Sequence, residues 1–396
     1  MSNPDLPAEL LDRIVDFLHD AQDALRNCCL VSKPWIPWTQ KHLFADVQFD
    51  NRDDLESWKE LFPDPLGSPA HYTKTLFVGS LHFATATDAE PGGWIRGFFY
   101  RVLALKVVDL GTYLDEPGAN LVPFHGFSPV IKSLFVQVPT LLSSQALDLI
   151  LSFPLLNDLT VVTYKSLIDD NGGPGGLRTI TIPSPPMTGS LTLIRREGLK
   201  SLARRLLSLP GGINFQKLSL KLLREEDISL ATALVEGCSH TLESLDISCE
   251  YIGVSVWCCA HFDNLPLILA EPRSGPIGLS KAIGLKNVTF RVGSQNVGWI
   301  TTAFKTITPE GRDLQRIYLP HNLAFVNVGA DIRQSIGEAI SRRWSDLDYL
   351  LVEFWESHSI RPRVGCERLG EKQRNMDYCI GRLLPGITKM GIVDPF

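Results

Sequence analysis

The chain has 396 residues, of which 44% are hydrophobic and 21% charged, and this composition indicates a folded protein rather than a disordered one. Its length exceeds the usual ceiling for a single core, so we expect one small module followed by a long body. Residues 1–70 carry 13 acids and 6 bases and the rest of the chain is nearly balanced, so no basic field is available and nucleic acid is not an expected partner. No apolar run reaches the roughly 18 residues that span a bilayer, and the acidic start is unlike a secretory signal, so a membrane is not an expected partner either.

The N-terminal segment predicts three short helices. In the first, Pro7 suits the opening turn, and six apolar side chains fill an arc of roughly 160°, although a helix on one core needs only about 100°. These six are Leu10, Leu11, Ile14, Val15, Phe17 and Leu18. The surplus predicts two apolar contacts for this helix, one within the chain and one outside it. A second helix is expected around Leu25, and Ser32 offers an N-cap for a third that contains Trp35, Trp38 and His42.

The order and spacing of residues in this segment resemble an F-box, particularly the fungal versions. The matching positions are Leu6-Pro7, Glu9, Leu10, Ile14, Leu18, Leu25, Cys28, Leu30-Val31-Ser32-Lys33, Trp35 and Leu43-Phe44. The resemblance implies a three-helix module that binds the Skp adaptor of a cullin-based SCF ubiquitin ligase. The residues that would form or support that contact are Leu6, Pro7, Leu10, Ile14, Leu18, Leu30, Val31 and Trp35. The sequence departs from the pattern at Cys28-Cys29, where larger aliphatic residues are more usual; the alternative interpretation is a helical cap on a repeat domain.

After this module the residue pattern changes from helical to strand-like across a proline-rich break. Residues 53–62 predict a short helix, and Pro63, Pro65, Gly67 and Pro69 then mark a break. We therefore predict an F-box at 1–50, a helical and proline-rich linker at 51–70, and a repeat domain at 71–396.

Short alternating strands recur through the repeat domain. Their central residues are predicted at 76, 108, 134, 159, 180, 218, 245, 288, 317 and 350, and helical patterns at 144–153, 198–209, 226–238 and 330–344 lie between them. The shorter steps lie near the leucine-rich repeat range of about 20–29 residues. The fold class is therefore predicted as α/β, with the three helices followed by an irregular leucine-rich-repeat-like βα solenoid that lacks most of the consensus asparagines. An ordinary α/β domain with a parallel sheet is the alternative.

No motif predicts catalysis, a metal site or a cofactor. The glycine-rich stretch at 172–176 lacks the Lys-Ser/Thr of a phosphate loop, and the cysteines and histidines lack zinc spacing. Adjacent cysteines such as Cys28-Cys29 and Cys258-Cys259 suit a reducing compartment, so we expect a cytosolic or nuclear protein.

Two basic clusters are candidate partner surfaces. Helical spacing predicts one face formed by Arg195, Arg196, Lys200, Arg204 and Arg205, and a second cluster covers 361–374. A solvated helix face is the default interpretation; recognition of an acidic or phosphorylated substrate segment is the functional one.

Together these features predict a non-enzymatic substrate receptor of an SCF-type ubiquitin ligase, with the Skp adaptor at one end and a protein substrate on the repeats. The alternative is an interaction scaffold that does not promote ubiquitin transfer.

Overall fold

The contacts in the computed structural model group the chain into two compact units, Met1–Gly176 and Leu177–Phe396. The residues that the structure describes are 7–31, 33–79, 97–108, 127–137, 143–163, 186–195, 199–223, 227–249, 277–291, 297–307, 314–319, 345–352, 363–366 and 384–391.

The first unit begins with helices and continues as a parallel sheet. Its helices are α1 (Ala8–Phe17), α2 (Gln22–Val31), α3 (Ile36–Leu43), α4 (Arg52–Leu61) and α5 (Ser143–Leu151), with short 3-10 helices at Lys33–Trp35 and Pro69–Tyr72. Its strands are β1 (Asp46–Phe49), β2 (Thr75–Val78), β3 (Ala104–Val108), β4 (Ser133–Gln137) and β5 (Asp158–Thr163). Helix α3 packs against α1, α2 and the 3-10 helix at Pro69–Tyr72, so it connects the N-terminal helices to the strand-bearing part of this unit.

Each strand of the first unit pairs in parallel with the next strand along the chain. The register aligns five buried residues, Val47, Leu76, Leu105, Leu134 and Leu159. These positions are 29, 29, 29 and 25 residues apart. One strand therefore follows another at a nearly constant period.

A repeated backbone hydrogen-bond pattern precedes these strands. The carbonyl of Ala45 accepts from the N–H groups of Lys74 and Thr75, and the carbonyl of Lys74 accepts from the next pair 29 residues on, Leu103 and Ala104. The carbonyls of residues 103 and 132 do the same. Each of these carbonyls accepts from two consecutive N–H groups at the beginning of the next strand, so those backbone donors are satisfied. The shared hydrogen bonds set the register at which each strand begins relative to the preceding one.

The second unit has the same parallel arrangement, and its first two strands are longer than any of the first unit. Its strands are β6 (Met187–Arg195), β7 (Ile213–Leu223), β8 (Ser244–Cys249), β9 (Asn287–Arg291), β10 (Arg316–Leu319) and β11 (Arg363–Cys366). Its helices are α6 (Leu199–Leu207), α7 (Ile228–Gly237), α8 (Val297–Lys305), α9 at 345–352 and α10 (Pro385–Lys389). Consecutive strands are neighbours throughout β6 to β11, so the described strands of this unit show no reversal of order.

The prediction of a mixed α/β chain with parallel strands is confirmed. The strands predicted around 76, 134, 159, 218, 245, 288 and 317 are present, as are the helices near 53–62, 144–153, 198–209 and 226–238. The predicted strand at 178–182 and helix at 330–344 lie outside the described residues. No described helix is long and apolar enough to cross a membrane.

The structure corrects the sequence predictions at four points. The segment at 348–352 is helical, because Leu347 and Leu351 lie one turn apart and are both buried. The repeat position in β3 is Leu105 rather than 108, and the strand at 46–49 was missed inside the N-terminal module. The strand β6 at 187–195 was also absent from the prediction.

Candidate functional site

Helix α1 has two apolar faces with opposite surroundings. Leu11 and Val15 are buried, with 5% and 0% of their surface exposed. At helical spacing on the other face, Leu10, Ile14 and Phe17 are 45%, 39% and 92% exposed. We call these three residues the α1 apolar face. The first face belongs to the core of the chain, and the second is left to solvent.

The end of α2 adds two more exposed apolar side chains. Leu30 is 84% exposed and Val31 69%, while Leu25, earlier in the helix, is fully buried. Exposed apolar residues scattered singly over a surface are normal. Five within residues 10–31 are a concentration in sequence, and exposed apolar surface beyond single scattered residues is typical of interaction sites.

The N-terminal helices are held together by a small polar contact in their interior. Thr39 on α3 is fully buried, and its hydroxyl lies within hydrogen-bonding distance of the carbonyls of Trp35 and Ile36, at 2.9 and 3.0 Å. The Cys29 thiol lies 2.8 Å from the same hydroxyl. Because a hydroxyl has one hydrogen and two lone pairs, Thr39 can donate to a carbonyl while accepting from Cys29. The cysteine that departs from the F-box pattern therefore links α2 to α3.

One ion pair and one histidine–carboxylate contact connect α1 with α3 at the edge of this module. The ammonium of Lys41 is 3.4 Å from Asp12, and Nε2 of His42 is 2.8 Å from Asp16, although that nitrogen makes no hydrogen bond with the described residues. Both carboxylates are partly exposed, so these pairs orient the helices more than they stabilise them.

The structure places the predicted adaptor residues as follows. Pro7, Leu10, Ile14, Leu30 and Val31 are exposed, Leu18 and Trp35 are half-buried, and Leu6 lies outside the described residues. Phe17, the most exposed of the large apolar side chains on α1, was not among the predicted contact residues. Phe17 lies three residues after Ile14 and seven after Leu10, and this helical spacing is the sequence signal that places it on the same face.

The predicted basic face does not form a single helix surface. Arg195 is the last residue of β6, and α6 begins only at Leu199, so strand and helix divide the five residues. Arg204 is exposed and Arg205 half-buried in the last turn of α6, while Lys200 lies in its first turn. Arg196 and most of the cluster at 361–374 lie outside the described residues, apart from Arg363 in β11.

Titratable groups in the described residues form no candidate centre for chemistry. No three His, Cys, Asp or Glu side chains in those stretches could hold a metal ion. Burial raises the pKa of the Cys238 thiol to about 11, and a hydrogen bond with the Phe215 backbone acts in the opposite direction. A thiol with that pKa is protonated at neutral pH, so Cys238 is a packing residue rather than a nucleophile.

Comparison with known proteins identifies no family. No family model matches the chain, and no curated protein matches it. Among solved structures, the chain is similar to the leucine-rich repeat-containing protein LegL7 from Legionella pneumophila at 15% identity, with 78% of this chain and 93% of that chain covered. The TM-score of 0.35 is too low for this likeness to carry an argument, so the strand register within each unit remains the basis for describing the fold.

Proposed function

We propose that the N-terminal helices are an F-box that binds a Skp-type adaptor, and that the following strands and helices are degenerate leucine-rich-like repeats that hold a protein substrate. The chain would then be a substrate receptor of an SCF-type ubiquitin ligase. Its contribution would be proximity, since it performs no bond chemistry and brings the substrate to the conjugating enzyme.

The observation that carries this proposal is the α1 apolar face. A short helix that buries Leu11 and Val15 has a core-facing side already, and the exposed parts of Leu10, Ile14 and Phe17 add nothing further to folding. Such a face stabilises a complex with a partner that covers it.

The size of the exposed surface supports a protein partner. Fully burying one large aliphatic or aromatic side chain contributes roughly 1.5–3 kcal/mol. Scaled by the exposed fractions of Leu10, Ile14, Phe17, Leu30 and Val31, the gross gain is roughly 5–10 kcal/mol. Association costs consume part of this, so the five residues suit the apolar centre of a larger interface.

The repeat part of the proposal is supported by the period of the first unit. Steps of 29, 29, 29 and 25 residues between aligned buried positions agree with a leucine-rich repeat length of about 20–29 residues. An ordinary doubly wound α/β domain reverses its strand order at a switch point, which the described strands of either unit do not do.

The test is capture of the adaptor by the full chain in cells. Leu10→Asp with Ile14→Asp should abolish co-purification of the Skp-type adaptor, because two carboxylates would be buried in an apolar interface. The matched control is Leu61→Asp with Leu66→Asp, which alters two leucines that are 72% and 89% exposed but lie outside the N-terminal helices. Undiminished capture by the first double variant would refute the proposed contact face.

Ubiquitin transfer separates the two proposed roles. A receptor should support adaptor-dependent ubiquitination of a protein captured by its repeats, and the Leu10→Asp, Ile14→Asp variant should not. A scaffold would retain the captured protein without modifying it. Adaptor binding with no ubiquitination of any captured protein would therefore favour the scaffold.

A further inference from the structure

The strands of the second unit display rows of polar side chains on one face. Alternate residues such as Leu218, Leu245, Val288 and Ile317 are buried in the core. The residues between them are partly or fully exposed, and the parallel register aligns them across the sheet. One row contains Ser190, Lys217, Ser244, Asn287 and Arg316; the next contains Thr192, Ser219, Asp246, Thr289 and Tyr318. We call these two rows, with Lys221 further along β7, the polar sheet face.

The polar sheet face carries an excess of positive charge. Lys217 and Arg316 are exposed and Lys221 is half-buried, and none of the three forms an ion pair with a described residue. The acid on these rows, Asp246, accepts a hydrogen bond from the Ser219 hydroxyl at 3.2 Å. The register also places Arg363 of β11 next to Arg316.

The corresponding face of the first unit differs in charge. There the exposed Asp46 and the half-buried Asp158 accompany one exposed base, Lys106. Asp158 accepts a hydrogen bond from Ser133, which neighbours it in the register, at 3.0 Å. The positive charge is therefore a property of the second unit and not a consequence of how these strands pair.

The spacing of the cations limits what this face can bind. Lys217 and Arg316 are three strands apart in one row, or about 14 Å, and Lys217 and Lys221 are four residues apart along a strand, or about 13 Å. Because strand side chains stand roughly perpendicular to the sheet, the charged groups keep a similar separation, which suits several spaced anionic groups better than one inorganic anion. An extended polypeptide covers about 13 Å in four residues, so acidic side chains spaced along one segment can reach them. The half-buried hydroxyls of Thr192 and Thr289 offer additional donors to carboxylates.

We propose that the polar sheet face of the second unit binds an extended acidic segment of a partner polypeptide. That this partner is a ubiquitination substrate rests on the proposed function; the binding itself does not. A nucleic acid suits the face less well, because Lys217, Lys221 and Arg316 are few cations for a protein that binds a duplex, which typically contacts roughly six to ten phosphates.

The test uses fluorescence anisotropy with the full chain and a labelled peptide that carries glutamates at every fourth position among serines and glycines. Lys217→Glu with Arg316→Glu should weaken binding about tenfold or more, since two attractions become repulsions. The matched control is Lys305→Glu with Lys389→Glu, which makes the same charge change at two exposed helix residues of this unit. The control should bind the peptide as the unaltered chain does.

Additional ligands in the same assay distinguish carboxylate, phosphoserine and nucleic acid as the source of the negative charge. A peptide with phosphoserine in place of glutamate that binds more tightly, and again loses binding in Lys217→Glu with Arg316→Glu, would support the face and indicate a phosphorylated segment. The proposal would be overturned if neither peptide bound. It would also be overturned if the control variant weakened peptide binding as much as Lys217→Glu with Arg316→Glu does, or if a single-stranded DNA of equal charge bound more tightly than the peptides. The assay contains no adaptor, so loss of the F-box proposal would leave its result unchanged.

Discussion

Trp58 is the centre of an aromatic cluster that joins four segments of the first unit. Its ring centroid lies 5.8 Å from that of Phe44 after α3, 5.7 Å from Phe49 in β1, 4.9 Å from Phe62 after α4 and 5.7 Å from Phe99. The N-terminal helices therefore connect to the first strand through this ring. Trp58→Ala should loosen that connection.

The magnitude follows from the packing. Trp→Ala in a core costs about 3–5 kcal/mol, and Trp58 is only partly buried, so we expect about 3 kcal/mol. The indole Nε1 of Trp58 is buried without a hydrogen-bond partner among the described residues. Trp58→Phe removes that unpaired donor while keeping a ring, so it should cost less than half as much as Trp58→Ala.

Hydrogen exchange read by mass spectrometry locates the effect. Trp58→Ala should reduce protection in β1 and α4 together, and urea titration should give the loss of unfolding free energy. The control is Trp38→Ala, since Trp38 is half-buried on α3, and Lys41 lies 5.8 Å from the centre of its ring. Equal effects of the two alanine variants on β1 would refute the central role of Trp58.

Two further predictions concern buried groups of the second unit. Asp348 accepts hydrogen bonds from the backbone N–H groups of Gly386 and Ile387 at 2.8 and 3.1 Å. Asp348→Ala should therefore lower the unfolding free energy, measured by urea titration, by about 1–3 kcal/mol. The control Asp346→Ala, at an exposed position, should change it by less than about 0.5 kcal/mol. Burial raises the pKa of the Cys238 thiol from 9.0 to about 11. The unfolded chain therefore loses the thiol proton at a lower pH than the folded chain does, and the unfolding free energy falls by roughly 2–3 kcal/mol between pH 9 and 11. Urea titrations across that range should show a shallower fall for Cys238→Ala, and an unchanged slope would contradict the assignment.

The sequence predicts those helices whose apolar spacing and caps are local, and it mistakes the helix at 345–352 for a strand. Helix α4 is an example: Asn51 accepts from the Asp54 N–H, and the Asp54 carboxylate accepts from the Asn51 N–H, which is a complete capping box. The two apolar faces of α1 are equally evident in the sequence. Which face is exposed depends on how α3 packs, and periodicity alone does not determine that.

Strand register is harder to predict than strand existence. In β3 the run Leu105-Lys106-Val107-Val108 has buried residues at adjacent positions, so alternation does not select one phase. In β1 the alternation of Val47 and Phe49 extends over only four residues, which the resemblance to an F-box had already assigned to the helical module. Counting back 29 residues from Leu76 identifies Val47.

The polar sheet face was not predictable from the basic clusters in the sequence. Lys217 and Lys221 lie on β7, far along the chain from Arg316, and all three share one face only through parallel pairing across four strands. Arg204 and Arg205, which are adjacent in sequence, lie on a helix instead. Sequence proximity therefore indicated a different surface from the one that the register assembles.

The most direct measurement is isothermal titration calorimetry of the full chain against a purified Skp-type adaptor. The account predicts saturable binding with one adaptor per chain, and loss of the heat signal in Leu10→Asp with Ile14→Asp. Absence of binding by the unaltered chain at tens of micromolar, or equal binding by the double variant, would contradict it.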